Sequence, residues 1–242
     1  MSYLLKKAKH LVKGSYPDKK KFQRLSYSQC GEDCIIDFIF KMLKIDKPSY
    51  LDVGAHHPFL YNNTFLFYER GCTGVNIEPD PFLFEAFDLT RPKDINLNIG
   101  IGFKKETEMA DFYVMSTRTL NTFSKSDADR YQKNGTYKIE NVKQIPLVSI
   151  NQIIEEKFNK GYPNFISIDV EGLDFEILNH LDFSKYRPEV LCVETLTFTE
   201  DNSEQKITRI IDYVCSQDYL VYADTNINTI FVDRKCWLSK KK

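Results

Sequence analysis

Residues 50–58 read YLDVGAHHP and residues 74–81 read GVNIEPDP, and these two stretches decide the fold. Tyr50 to Val53 is a short, largely apolar run halted at Gly54, the pattern of a buried strand ending in a tight turn. Val75 to Ile77 is a second such run, closing on the acid Glu78. Between them NNTFLFYERG reads as a helix of about two turns stopped by Gly71.

Outward from this core the alternation continues. Upstream, GEDCIIDFIFKML puts Ile35, Ile36, Ile39, Phe40 and Leu43 on one helical face. Downstream come the helix PFLFEAFDLT, with Pro81 in its first turn, and a third strand in INLNIGIG. Residues 103–146 are less regular: ADFYVM reads as a strand, STRTLNTFSKSDADRYQKNGTY as a polar loop, and Asn134–Gly135 as a turn. PLVSINQIIEEKF is a strand entering a helix capped at Ser149 or Asn151. Then follow the strand NFISIDVEG, the helix LDFEILNHL, the strand PEVLCVETL and a long helix in SEQKITRIIDYVCSQ with Ser203 as N-cap. DYLVYAD and INTIFVD, with no helix between them, close the chain as an antiparallel pair. Continuous apolar strands alternating with helices predict an α/β fold whose parallel sheet is covered on both faces.

The chain has 242 residues, 42% of them hydrophobic and 14% aromatic, enough for one large domain with its own core. A net charge of −1 removes the electrostatic case for a nucleic-acid partner. No apolar run reaches the ~20 residues needed to span a bilayer. The charge is uneven, however: residues 1–24 hold eight Lys or Arg against Asp18 alone, and Lys240 to Lys242 end the chain. Leu4, Leu5, Ala8, Leu11 and Val12 fall at helical spacing, so a basic amphipathic helix making weak peripheral membrane contact is one reading, and a solvated helix the other. The expected organisation is a basic arm at 1–24, a single domain at 25–235 with 103–146 as an insertion and substrate lid, and a basic tail at 236–242. Six cysteines without a CxxC pair predict reduced thiols and a cytoplasmic protein.

In an open α/β sheet, ligands bind beyond the carboxyl ends of the strands. Here acids finish strand after strand: Asp52, Glu78, Asp169 with Glu171, and Glu194. Gly54 permits a sharp turn and close approach of a ligand, and Glu78, 26 residues after Asp52, suits the hydroxyls of a ribose. GAHHP lacks the G-x-G-x-x-G cradle for a pyrophosphate, which points to a nucleoside cofactor without one, S-adenosylmethionine.

YSQCGED at 27–33, YLDVGAHHP, NNTFLFYERGCTGVNIEPDP and FISIDVEGLDFEIL together resemble the FkbM family of S-adenosylmethionine-dependent methyltransferases over roughly residues 26–200. The resemblance implies a Rossmann-like class I methyltransferase fold: a mostly parallel seven-stranded sheet with an antiparallel last strand. It implies that Asp52, Gly54 and Ala55 pass under the methionine moiety and that Glu78 binds the ribose. Tyr27, Gln29 and Glu32 are then expected to fold over the cofactor, Asn63 and Thr64 to meet its carboxylate, and Asn98 to stand near the adenine. Asp169, Glu171 and Gly172 match the element that faces methyl transfer.

Methyl transfer to a hydroxyl needs an in-line oxygen and a base. Asp169, Glu171, His180 and His57 are the candidates, His57 also as a substrate contact. A divalent cation such as Mg2+ held by Asp169 and Glu194 is an alternative, with Glu194 otherwise a substrate contact. Plainer roles exist for each: Glu171 as a helix cap, Glu194 as a surface acid, His57–Pro58 shaping a loop, His180 closing a helix. The expected function is O-methylation of a sugar or nucleotide-linked sugar in surface polysaccharide biosynthesis, with an unknown oligomeric state. The rivals are another acceptor, such as a carboxylate, phosphoramidate or lipid head group, and a non-catalytic cofactor-binding scaffold.

Overall fold

A computed structural model describes residues 19–133, 135–159, 161–170, 172–197 and 203–239. The residues proposed for an N-terminal amphipathic helix, Asn134, Glu171 and the terminal lysines lie outside the described residues.

The helix Glu32–Leu43 (α1) precedes the strand Tyr50–Val53 (β1), the short helix Phe65–Glu69 (α2), the strand Gly74–Ile77 (β2), the helix Pro81–Thr90 (α3) and the strand Ile95–Leu97 (β3). After Gly100–Gly102 (β4), Glu108–Met115 (β5), the helix Lys125–Lys133 (α4) and Ile139–Ser149 (β6), the chain returns to alternation. Ile150–Lys157 (α5), Phe165–Ile168 (β7), Asp174–His180 (α6), Val190–Glu194 (β8) and Thr208–Ser216 (α7) lead to the hairpin Tyr219–Asp224 (β9) and Asn228–Asp233 (β10). The helix Arg234–Ser239 (α8) follows.

Seven strands form one sheet in the order β3-β2-β1-β7-β8-β10-β9. Every neighbouring pair is parallel except those of β10, which runs antiparallel to β8 and β9, as the helix-free DYLVYAD–INTIFVD connection predicts. The period of two along each strand divides the core. Leu51 and Val53 of β1, with Ile166 and Ile168 of β7, face Ile153, Ile154, Ile177 and Val214 on one side. Tyr50 and Phe165 face Ile36, Ile39, Phe40 and Phe67 on the other. The strand order reverses between β1 and β7, so their carboxyl ends open the crevice where α/β sheets bind ligands.

Two stretches carry more structure than the sequence pattern predicts, one read as a single strand and one as a polar loop. INLNIGIG is two strands, and β4 belongs to a second sheet in the order β4-β6-β5. The polar loop contains a 3-10 turn at Arg118–Leu120 and α4. That helix escapes notice because its buried stripe is only Ala128 and Tyr131, packed with Tyr113, Met115 and Leu120. Ser203 is no helix cap: Leu196 pairs with Lys206 as an antiparallel bridge, so the segment is extended there and α7 begins at Thr208. Ser149 does cap α5, accepting from Gln152 N at 3.3 Å. All six cysteines are free, and among the described residues no helix is long and apolar enough to cross a membrane.

Candidate active site

Beyond the carboxyl ends of β1, β2, β7 and β8 lies a cavity of about 710 Å³. Gln29, Asp52, Gly54, Ala55, Asn63, Glu78, Asp169, Gly172 and Glu194, all anticipated from the sequence, line it.

Gly54 adopts φ +76° and its N–H, with that of Ala55, donates to the Ile77 carbonyl at the end of β2. A Cβ added at Gly54 would fall 1.9 Å from the Asp169 carbonyl oxygen. The glycine is therefore demanded first by the backbone of β7 next door, and not only by approach of a ligand. Asp52 is buried; Thr64 Oγ1 (2.7 Å) and Asn62 Nδ2 (3.0 Å) both donate to its Oδ2. Burial raises its pKa from the ordinary value, opposed by the nearby Arg91 charge and these two donors.

Glu78 is 5% exposed. Its oxygens accept only backbone N–H groups among the described bonds, from His56 and Asp80 at 2.7 Å each. Burial pushes the carboxyl up to about 8. Asp80 caps α3 through Phe82 N and also takes hydrogen bonds from Arg118 and Asn121 of the inserted segment. The Arg118 guanidinium lies over the Phe82 ring, 4.5 Å from its centroid. Residues 118–124 and Asp127 thereby wall one side of the cavity, a contribution hidden in a polar stretch of sequence.

Burial pushes Asp169 up to about 7, reinforced by the Asp174 and Asp52 charges and opposed by a hydrogen bond to Glu194. Asp174, fully buried where Asp169 is half-buried, is raised to about 6; it accepts from Val170 N and Gly172 N and so holds the loop after β7.

Other expected site residues stand elsewhere. The Glu32 carboxylate ties the start of α1 to the β9–β10 turn, through Cys30 N, Thr225 Oγ1 and Asn228 Nδ2, and does not line the cavity. Tyr27 is outside the lining too, its hydroxyl donating to Glu69 and its ring edge-on to Phe65. Thr64 stands behind Asp52, not against the cavity. Asn98 is turned back, donating to the Glu78 and Pro79 carbonyls. His57 Nδ1 accepts from Leu60 N at 3.1 Å and shapes its loop, while its neighbour His56 lines the cavity. His180 is exposed against Phe103, at the far end of α6, which carries it ~9 Å beyond Asp174 at 1.5 Å per residue. It is not placed to act as a base. Among the described residues no group of three or more His, Cys, Asp or Glu is arranged to hold a metal ion, and Asp169 and Glu194 bond to each other.

Strand order, the antiparallel β10 and a glycine turn after β1 make this the Rossmann-like fold of class I methyltransferases. The family model described as the methyltransferase FkbM domain matches residues 52–221, and the chain belongs to that family. Among solved structures it is similar to an FkbM methyltransferase from Methylobacillus flagellatus KT, at 16% identity and TM-score 0.44, over 77% of this chain and 44% of that one. It thus spans less than half of that protein. It is also similar to a TehB-like SAM-dependent methyltransferase from Corynebacterium glutamicum, at 7% identity and TM-score 0.42, over 95% and 96% of the two chains. A putative caffeoyl-CoA O-methyltransferase from Staphylococcus aureus aligns at 10% identity and TM-score 0.41, over 94% and 98%. No curated protein matches.

The cavity fits S-adenosylmethionine. It has a buried acid at Glu78 with acceptor capacity to spare for ribose hydroxyls, a glycine turn for close backbone approach, and the amides Gln29 and Asn63 for the polar ends.

Proposed function

We propose that the chain is an S-adenosylmethionine-dependent O-methyltransferase acting on a sugar hydroxyl, either of a glycan or of a nucleotide-linked precursor for surface polysaccharide. When bound, the cofactor supplies an electrophilic sulfonium methyl. Glu78 receives the ribose hydroxyls, and Asp52 with Ala55 holds the methionine end. The residue that carries the reading is Asp169: a half-buried carboxyl pushed up to about 7, on the cavity wall beside the glycine turn. A base whose pKa lies near ambient pH is suited to take a hydroxyl proton as the oxygen attacks. Glu194 donates to the ionised form of Asp169 and so holds it ready to accept that proton.

Acid lining supports a hydroxyl-rich acceptor. Among the described residues six that line the cavity are Asp or Glu, and Arg118, the single lining Lys or Arg, is paired with Asp80. Carboxylates accept from hydroxyls, so a polyol satisfies such a wall. Residues 103–146 serve as the lid of the acceptor side, latched by Arg118 and Asn121. The test is transfer of labelled methyl from S-adenosylmethionine to a panel of glycosides and nucleotide sugars, with thiol, amine and carboxylate acceptors alongside. Labelling of the sugars at oxygen is expected; preferential labelling of any other class overturns the assignment.

A further inference from the structure

Arg91 follows α3 in the stretch TRPKD and has no exposed surface. Its guanidinium is paired with Asp94 at 2.8 Å and donates to Tyr50 OH (2.9 Å), Thr64 Oγ1 (3.0 Å) and Asn62 Oδ1 (3.1 Å). The rings of Tyr50, Tyr68 and Phe87 lie 5.1–5.5 Å from it. Beyond these partners stands the cavity floor. Thr64 Oγ1 and Asn62 Nδ2 donate to Asp52, and Asn62 Nδ2 also donates to the Ala55 carbonyl. Asn62 Oδ1 meanwhile accepts from Thr64 N and Phe65 N at the start of α2.

A threonine hydroxyl has one proton to give and an asparagine amide has two orientations. Arg91 narrows both freedoms. The Thr64 hydroxyl can give its proton to Asp52 (2.7 Å) or to Asn62 Oδ1 (3.0 Å), and by donating to Oγ1 and to Oδ1 together Arg91 occupies the competing acceptor and favours Asp52. With the Thr64 and Phe65 N–H groups it holds Oδ1 in place, which directs Nδ2 towards Asp52 and Ala55.

We propose that Arg91 is a positioning residue for the cofactor: through Thr64 and Asn62 it sets the orientation of the Asp52 carboxylate and the Ala55 carbonyl before the cofactor arrives. This rests on the reading of the cavity as the S-adenosylmethionine site and adds a residue that never touches it. The planar fork is essential, because a lysine ammonium pairs with Asp94 but cannot span Tyr50, Thr64 and Asn62 together. The charges facing Asp52 are those of Arg91, Asp94, Glu78 and Asp169; Arg91 favours its ionised form.

The experiment measures S-adenosylhomocysteine binding by calorimetry, with thermal melts in parallel, for the wild type, Arg91→Lys, Thr64→Val and the double variant. Absence of wild-type binding overturns the cofactor site itself and the proposal with it. With wild-type binding present, Arg91→Lys and Thr64→Val should each weaken affinity about five- to tenfold, the effect of one or two hydrogen bonds. The double variant should fall no further than the weaker single, since both cut one relay. The loss in Thr64→Val should also grow as pH falls, because Asp52 has lost a donor to its ionised form. Unchanged affinity in folded Arg91→Lys, or losses that simply add, overturns the proposal. Should Arg91→Lys fail to fold, unchanged affinity or a flat pH dependence of the loss in Thr64→Val does the same, because that variant leaves the Arg91–Asp94 pair intact.

Discussion

Cofactor affinity should depend on pH through Glu78, and Glu78→Gln should abolish that dependence. In the ligand-free protein burial pushes this carboxyl up to about 8. Ribose hydroxyls donate best to the ionised form, each bond to a charged group contributing about 1.5–3 kcal/mol. At pH 7, ionising the group first costs about 1.4 kcal/mol for the one unit separating pH and pKa. Affinity for S-adenosylhomocysteine should therefore climb about tenfold per unit below pH 8, with a proton released, and level off above it. Glu78→Gln keeps the shape and one oxygen for a backbone N–H but loses the charge. Its affinity should be flat with pH and about 10- to 150-fold weaker at pH 8, the deficit shrinking towards pH 6. Folding stability moves the opposite way. A folded pKa raised above the unfolded value of about 4.3 means that the native state holds a proton the unfolded chain has lost, so this contribution declines as pH rises towards 8. Calorimetry at pH 6, 7, 8 and 9, in buffers of different ionisation enthalpy, measures affinity and proton release together; melts follow stability. Wild-type affinity that stays level from pH 6 to 9 would refute the reasoning, as would a Gln variant that binds like the wild type.

Asp169→Asn should lower turnover about 10²- to 10⁴-fold, the usual contribution of a general base, while S-adenosylhomocysteine affinity changes less than about twofold. In the wild type, kcat should rise with pH through an apparent pKa near 7; substantial activity in the variant excludes Asp169 as base. Gly54→Ala should lower stability by at least ~2 kcal/mol, from the positive φ and the Cβ contact with the Asp169 carbonyl, and a wild-type melting temperature would contradict the packing described. Arg118→Ala should speed proteolytic cleavage within residues 116–137 while costing only about 1 kcal/mol of stability, since the arginine side is partly exposed. Equal cleavage rates would remove its latch role.

What the sequence revealed and what it concealed divide along the range of the contacts involved. The strands around the crevice were legible because each is a four- or five-residue apolar run with its own stop, Gly54 or an acid, so burial and boundary are local signals. The acids were legible because strand ends are where a sheet presents ligands. Arg91 was not. In TRPKD it reads as a surface charge after a helix, and partners from β1 (Tyr50), the loop that follows it (Pro58, Asn62 and Thr64) and Asp94 make its burial affordable in free energy. α4 was missed because two buried residues in nine do not mark a face. Of the two roles the sequence leaves open to His57 and His180, the plainer one matches the local contacts: His57 Nδ1 accepts from Leu60 N within its own loop, and His180 Nδ1 meets the Glu176 carbonyl at the end of α6. Gly54 shows the difference most sharply. Its turn was legible from YLDVG, but the reason for a glycine lies 115 residues later in sequence, at the Asp169 carbonyl. That close approach leaves no room for a side chain between the turn after β1 and the strand end bearing Asp169. On the proposed reading, backbone pairing of β1 with β7 holds the glycine turn and Asp169 at the two sides of one crevice, and the side chains around them adjust charge and orientation.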